Sequence, residues 1–138
     1  MNKLIIADAD ILISLVYKSD VNHKIIDTIM KKLVGQEYII KFPNTALLEA
    51  ITALKRGLNK PDLSKLINTH YKQDYFGIIY VDDKIQKRAS DIFENIVSKQ
   101  DTIFDTIVIA TAEIYNADAI LSMDKLYKKY FALAQDII

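Results

Sequence analysis

Asp8, Glu49, Asp105 and Asp124 are the residues whose type and setting could do chemistry. Asp8 ends the apolar run Leu4-Ile5-Ile6-Ala7. Asp105 opens a stretch in which Val108, Ile109 and Ala112 share its helical face, and Asp124 follows Ala119-Ile120-Leu121 after a Ser-Met step. Glu49 lies opposite the core face Leu47, Ala50, Ile51 and Leu54, beside Thr45, Thr52 and Arg56. Two carboxylates about 4 Å apart repel by roughly 4 kcal/mol at an effective dielectric near 20. A converging group of them must therefore share protons or bind cations. The chain has no cysteine, and His23 and His70 are far in sequence from these acids. The donors would be oxygens only, which suits Mg²⁺ or Mn²⁺ rather than zinc. One or two such cations activate a water and neutralise charge at a phosphodiester under in-line attack.

Each acid also has a purely structural reading. Asp8 and Asp124 fit as N-caps of the segments that follow them, and Asp105 could cap its own helix. Glu49 alone would read as a solvated residue on an amphipathic helix. Asp101, four residues before Asp105, reads as the cap of that helix rather than as part of a site. The set carries the chemical reading, and no single residue does.

The elements that would position these acids follow from periodicity. Leu4 to Ala7 is a strand with both faces apolar, which suits the centre of a parallel sheet. Asp8-Ala9-Asp10 turns into a helix carrying Ile11, Leu12, Leu15 and Val16. A second helix is predicted from Val21 to Val34 with Gly35 as its stop, then a strand at Tyr38-Ile39-Ile40. Asn44 or Thr45 would cap a helix running to Gly57, and Pro61 would open another with Leu63, Leu66 and Ile67 inward. Gly77 to Val81 is predicted as a strand, and Asp82 as the cap of a helix through Ser98 with Ile85, Ala89, Ile92, Phe93 and Ile96 inward. The helix at Asp105 and the strand Ala119 to Leu121 follow, then a short helix from Lys125 to Phe131 and an edge strand at Asp136-Ile137-Ile138. Strands alternating with helices, without hairpin dipeptides, imply a three-layer α/β/α sandwich on a mainly parallel central sheet. In such sheets ligands bind beyond the carboxyl ends of the strands, where Asp8 and Asp124 fall.

Length and composition set the outer bounds. At 138 residues, 51% of them hydrophobic, the chain suits a single domain over 1–138 that buries a core without disulfides. The N-terminal apolar run is too short for a signal peptide, and no run is long enough to span a bilayer, so a cytoplasmic protein is expected. The formal net charge is zero, which argues against a general nucleic-acid coating protein. With four of its 18 acids pooled in one pocket, however, the 18 basic residues exceed the remaining acids by four. A mildly basic surface around an acidic, cation-filled hole can still hold a polyanion.

Three segments in order, spanning nearly the whole chain, resemble the PIN-domain family of metal-dependent ribonucleases. Leu4-Ile5-Ile6-Ala7-Asp8-Ala9-Asp10-Ile11-Leu12-Ile13 is similar to its opening strand and corner. Asn44-Thr45-Ala46-Leu47-Leu48-Glu49 is similar to the helix that supplies its glutamate. Phe104-Asp105-Thr106-Ile107-Val108-Ile109-Ala110-Thr111-Ala112, with Ala119-Ile120-Leu121-Ser122-Met123-Asp124-Lys125, resembles its most characteristic block. The resemblance implies that Asp8, Glu49, Asp105 and Asp124 bind Mg²⁺ or Mn²⁺ and cleave RNA, with the Ser122 hydroxyl near the metal. It also implies a size and build like those of VapC-type toxins held inactive by a cognate antitoxin, and a tendency to form a homodimer. The first corner departs from the family: Ala9 stands for the usual Thr or Ser, and Asp10 for the usual Asn. Tyr127 stands where an aromatic often follows the last Asp. Lys55, Arg56, Lys125, Lys128 and Lys129 could steer RNA toward the acids, although solvated helix surface is the better explanation of each one alone.

Two other readings stand beside this one. Asp8-x-Asp10 after an apolar strand also resembles the haloacid-dehalogenase phosphatases, with Asp8 as nucleophile, but Leu12 replaces the Thr or Val of that motif. A PIN fold without catalysis, serving only to bind RNA or protein, is kept open by the altered Ala9-Asp10 corner.

Overall fold

The computed structural model describes residues 3–138; Met1 and Asn2, part of the N-terminal stretch weighed above as a signal peptide, lie outside the described residues. Among the described residues four strands form one parallel sheet: β1 (Leu4–Ala7), β2 (Ile39–Pro43), β3 (Gly77–Ile79) and β4 (Ala119–Leu121), in the order β3-β2-β1-β4. β1 is central, with Ile5 opposite Ile40 on one side and Ala119 on the other. Its residues Ile5 to Ala7 are wholly buried, as a strand apolar on both faces must be. Gly77 allows β3 to approach β2 closely, since a Cβ there would meet the Lys41 side chain at 3.0 Å.

Helices cover both faces of the sheet. On one side α1 (Ala9–Val16), α2 (His23–Gly35), α3 (Asn44–Thr52) and α4 (Pro61–Lys72) pack around Ile5, Ala7, Phe42 and Leu121. On the other, α5 (Asp83–Glu94) and α6 (Ile103–Ile114) pack around Ile6, Ile79 and Ile120. The chain leaves β1 for β2 and β3 on one side and returns to place β4 on the other. A crevice therefore opens between the carboxyl ends of β1 and β4, where Ala7 pairs with Leu121.

Several boundaries differ from the sequence expectation, each for a physical reason. α2 starts at His23 and runs through Gly35; the left-handed residue that ends it is Glu37, φ 68°. With three glycines in the chain, Asn59, Asp74 and Asn116 also take left-handed positions just after helical segments. β2 starts at Ile39 rather than Tyr38, and β3 stops at Ile79. Neither Asn44 nor Thr45 caps α3: Asn44 is already helical, and its Oδ1 instead accepts from Val81 N at 2.8 Å. The helix gives way to a π-helical turn, Ala53–Gly57. Leu66 and Phe93 are exposed rather than inward, and α5 ends at Glu94 rather than Ser98. Asp82 does cap α5, accepting from Ile85 N at 2.9 Å. The segment after Asp124 is a 3₁₀ helix, Lys125–Lys129. The expected edge strand at 136–138 is absent: Leu133 makes a single parallel bridge to Ile120, and Ala134–Asp136 is a 3₁₀ turn.

Candidate active site

Two strand–helix corners carry Asp8 and Asp124 and the first turn of α6 carries Asp105, each with one carboxylate oxygen tied to a nearby backbone N–H. Asp8 Oδ1 accepts from Ala9 N at 2.6 Å at the start of α1. Asp124 Oδ1 accepts from Leu126 N at 2.9 Å, capping the 3₁₀ helix. The N-cap of α6 is Thr102 rather than Asp101 or Asp105; Asp105, three residues into the motif, reaches back to accept from Thr102 N at 2.8 Å. The structural and chemical readings of these acids are thus compatible. Capping occupies one oxygen of each acid and leaves the other for a second contact.

Tyr127 joins two of them. Its ring is completely buried, and its hydroxyl donates to Asp8 Oδ2 at 2.6 Å while lying 3.3 Å from Asp105 Oδ1. Burial and the surrounding carboxylates push the Tyr127 pKa well above its ordinary value, so the hydroxyl stays protonated. Sequence reading noted the aromatic but not this hydroxyl; the only signal was a polar-tipped aromatic three residues after Asp124.

Asp10 is the second residue whose role emerges from the fold. It accepts from Met123 N at 2.8 Å and from the Ser122 hydroxyl, 3.3 Å from each carboxylate oxygen. Ser122 Oγ in turn accepts from Asp124 N at 3.0 Å. The Ala9-Asp10 corner therefore clamps the end of β1 to the segment that carries Asp124. Ser122, expected near a metal, serves in that clamp.

Glu49 comes from α3 on the far side of the crevice and is half-buried. Burial, then the charges of Asp8, Asp105 and Asp10, raise its carboxyl from 4.5 to about 7. Burial and Asp10 raise Asp8 from 3.8 to about 7 against the opposing hydrogen bonds of Tyr127 and Ala9. Asp105 is raised by burial and by Asp124, and Asp10 chiefly by burial. These mutual effects place all four expected acids, with Asp10, in one electrostatic neighbourhood. By contrast, His23 Nδ1 pairs with the Ser14 carbonyl and His70 packs on Tyr75.

A carboxyl whose folded pKa lies above its unfolded value binds more protons folded than unfolded between the two. Its contribution to stability is full below about 4 and is lost as pH rises through about 7. In a chelator the melting temperature should therefore be lower at pH 8 than at pH 5.5, by about 5 °C. Thermal melts followed by circular dichroism test this, and a melting temperature flat or rising across that interval contradicts the raised acids.

Comparisons with known proteins agree with the architecture. The family model of the PIN domain matches residues 5–131. No curated protein matches the sequence. Among solved structures, the Mycobacterium tuberculosis toxin VapC20, described as cleaving the sarcin–ricin loop, superposes with a TM-score of 0.76 at 13% identity, covering 91% of this chain and 93% of that one. VapBC2 from Rickettsia felis, bound to a DNA fragment from its promoter, gives 0.66 at 12% identity, covering 94% and 96%. A toxin–antitoxin complex from Klebsiella pneumoniae gives 0.59 at 15%, covering 88% of each chain. At these identities the likeness is one of fold, and the family match reaches all four expected acids. The chain belongs to the PIN domain family.

Proposed function

We propose that this protein is a Mg²⁺- or Mn²⁺-dependent endoribonuclease that hydrolyses RNA phosphodiester bonds at Asp8, Glu49, Asp105 and Asp124. The observation that carries this reading is the meeting of Asp8 and Asp105 on one buried hydroxyl, with Glu49 and Asp124 close enough to alter the charge of their neighbours. Mutually repelling acids held this way fit a cation site in the kind of donor they offer, oxygens without sulfur or imidazole. Among the described residues no three of these side chains stand in coordinating geometry as placed. The Tyr127 hydroxyl lies between Asp8 and Asp105, and one oxygen of each capping acid faces backbone.

Asp8, Asp105 and Asp124 would hold the cation, each through the oxygen that capping leaves unused. The bound cation would supply a water of lowered pKa and positive charge for the phosphodiester. Glu49, whose side chain makes no hydrogen bond among the described residues, would help to hold the cation or to orient the attacking water. Asp10 and Ser122 hold Asp124 in register with Asp8. Lys125, Lys128 and Lys129, exposed and in no ion pair among the described residues, supply positive charge beside the acids for the RNA backbone.

The toxin–antitoxin neighbours, whose chains this one nearly spans, support a finer reading: the toxin of such a pair, restrained by a partner protein. No helix among the described residues is long and apolar enough to cross a membrane.

Two measurements test the enzyme. A single-stranded RNA should be cut in Mn²⁺ and left whole in a chelator. Mn²⁺ should also raise the melting temperature, since a ligand at about 100 times its Kd adds about 2.7 kcal/mol. Cleavage that persists undiminished in chelator, or no response to Mn²⁺ in either assay, would overturn the proposal.

A further inference from the structure

Phe104 directly precedes Asp105 at the start of α6 and is 41% exposed, leaving an aromatic ring at the surface beside the acids. It forms one wall of a cleft of about 420 Å³ whose other walls are Thr45, Leu48, Glu49, Thr52 and Ala53. Glu49 belongs to both the cleft and the acid cluster, so the two are continuous. Leu48 is 57% exposed and faces the same opening.

The lining limits what can enter. Among the described residues its one charged lining group is a carboxylate and no cation lines it, so a phosphate would be repelled. A flat neutral group that stacks on one face and forms hydrogen bonds along its edge is suited to an aromatic ring, an aliphatic wall and two threonine hydroxyls. Thr45 Oγ1 is buried in this wall without a hydrogen-bond partner among the described residues, an unusual condition for a polar atom. Threonine in a helix has two accessible χ1 rotamers, so this hydroxyl can turn toward a group in the cleft. Lys55 and Arg56, exposed on the turn after α3, provide nearby the positive charge that the cleft lacks.

We propose that this cleft binds one nucleobase of an RNA substrate, adjacent to the phosphodiester held at the acids, with Phe104 stacking on the base and Thr45 and Thr52 reading its edge. The proposal rests on the ribonuclease reading and gives that site a determinant of sequence preference. Stacking on an aromatic side chain is tolerant of base identity, whereas hydroxyls placed along the edge are not.

The test uses the whole chain and short single-stranded homopolymers of each of the four RNA bases, with Ca²⁺ in place of Mn²⁺ for binding and Mn²⁺ for cleavage. Phe104→Leu, which keeps apolar contact but removes the aromatic face, should weaken binding of the preferred RNA by about tenfold. Phe104→Tyr should retain wild-type affinity, and Thr45→Val should narrow the differences among the four RNAs. An abasic nucleotide at the responsive position should lose as much in wild type and nothing further in Phe104→Leu. The Mn²⁺-induced rise in melting temperature should be unchanged in all three variants. Equal RNA affinity in wild type and Phe104→Leu overturns the proposal, as does an absence of RNA binding by wild type. It is equally overturned if wild type is a dimer that Phe104→Leu converts to a monomer, since a second copy would then cover the cleft. Mn²⁺-dependent cleavage unaffected by Phe104→Leu would keep the nuclease and remove the base site. RNA binding that falls in Phe104→Leu, with no Mn²⁺-dependent cleavage by wild type, would do the reverse.

Discussion

Asp105→Asn should reduce Mn²⁺-dependent RNA cleavage by roughly 10³-fold while leaving the protein folded. The substitution keeps an oxygen that can accept from Thr102 N, so the reciprocal bond at the start of α6 survives. Its amide can donate to the Tyr127 oxygen where the carboxylate oxygen now lies 3.3 Å away. What disappears is one negative charge and one of the oxygens directed at the crevice. Losing a charge beside Asp8 and Glu49 relieves repulsion, so the melting temperature in chelator should not fall. The separation of the two readouts is the point of the experiment: a structural role for Asp105 predicts loss of stability, a cation-holding role predicts loss of cleavage alone. Cleavage assays of wild type and variant in Mn²⁺, with thermal melts of both, decide it. Equal cleavage by the two proteins would remove Asp105 from the site.

How far this site could be read in advance depended on whether its parts are local. β1 and β4 were legible because a short apolar run ending on Asp has few other interpretations, and their bounds match the expectation. The alternation of strands and helices was enough for a parallel sheet, and a parallel sheet places Asp8 and Asp124 at one edge. Contacts between distant segments were not legible. Asp10 stood out as a departure from the family corner that could be a fifth charge or a hydrogen-bond acceptor; the acceptor reading holds, but its partners Ser122 and Met123, more than a hundred positions away, could not be named. Asn44 looked like a cap because capping is a local rule, whereas its actual partner, Val81 N, belongs to the segment after β3. Tyr127 was legible only as an aromatic in the place where the family often has one; its hydroxyl gains a role only once β1, α6 and the 3₁₀ helix meet. Capping does not by itself exclude a further role for these acids. Each aspartate has two oxygens, and in Asp8 and Asp105 one of them faces backbone and the other meets Tyr127.

Asp8→Asn should make the protein more stable in chelator and less able to use a cation. Asp8 is 8% exposed, and burial together with Asp10 raises its carboxyl from 3.8 to about 7. Above that value the wild-type protein must keep a buried charge ionised against these effects, at a cost of about 2–4 kcal/mol. Asparagine removes the charge yet can keep both contacts. Its oxygen can accept from Ala9 N, and its amide can donate to the Tyr127 oxygen, freeing the Tyr127 hydroxyl to donate to Asp105. The expected result at pH 8 in chelator is a melting temperature higher than wild type by about 5–10 °C, with a weaker dependence on pH between 5.5 and 8. In Mn²⁺ the order should close or reverse, because wild type gains stability from the cation and the variant gains little. Such a crossing separates a functional carboxylate from a badly placed one: both destabilise the protein alone, but only the first regains stability from its ligand. If Asp8→Asn proves less stable than wild type in chelator at pH 8, the hydrogen bonds of Asp8 outweigh its charge. Its place at the end of β1 would then be a matter of architecture rather than of chemistry.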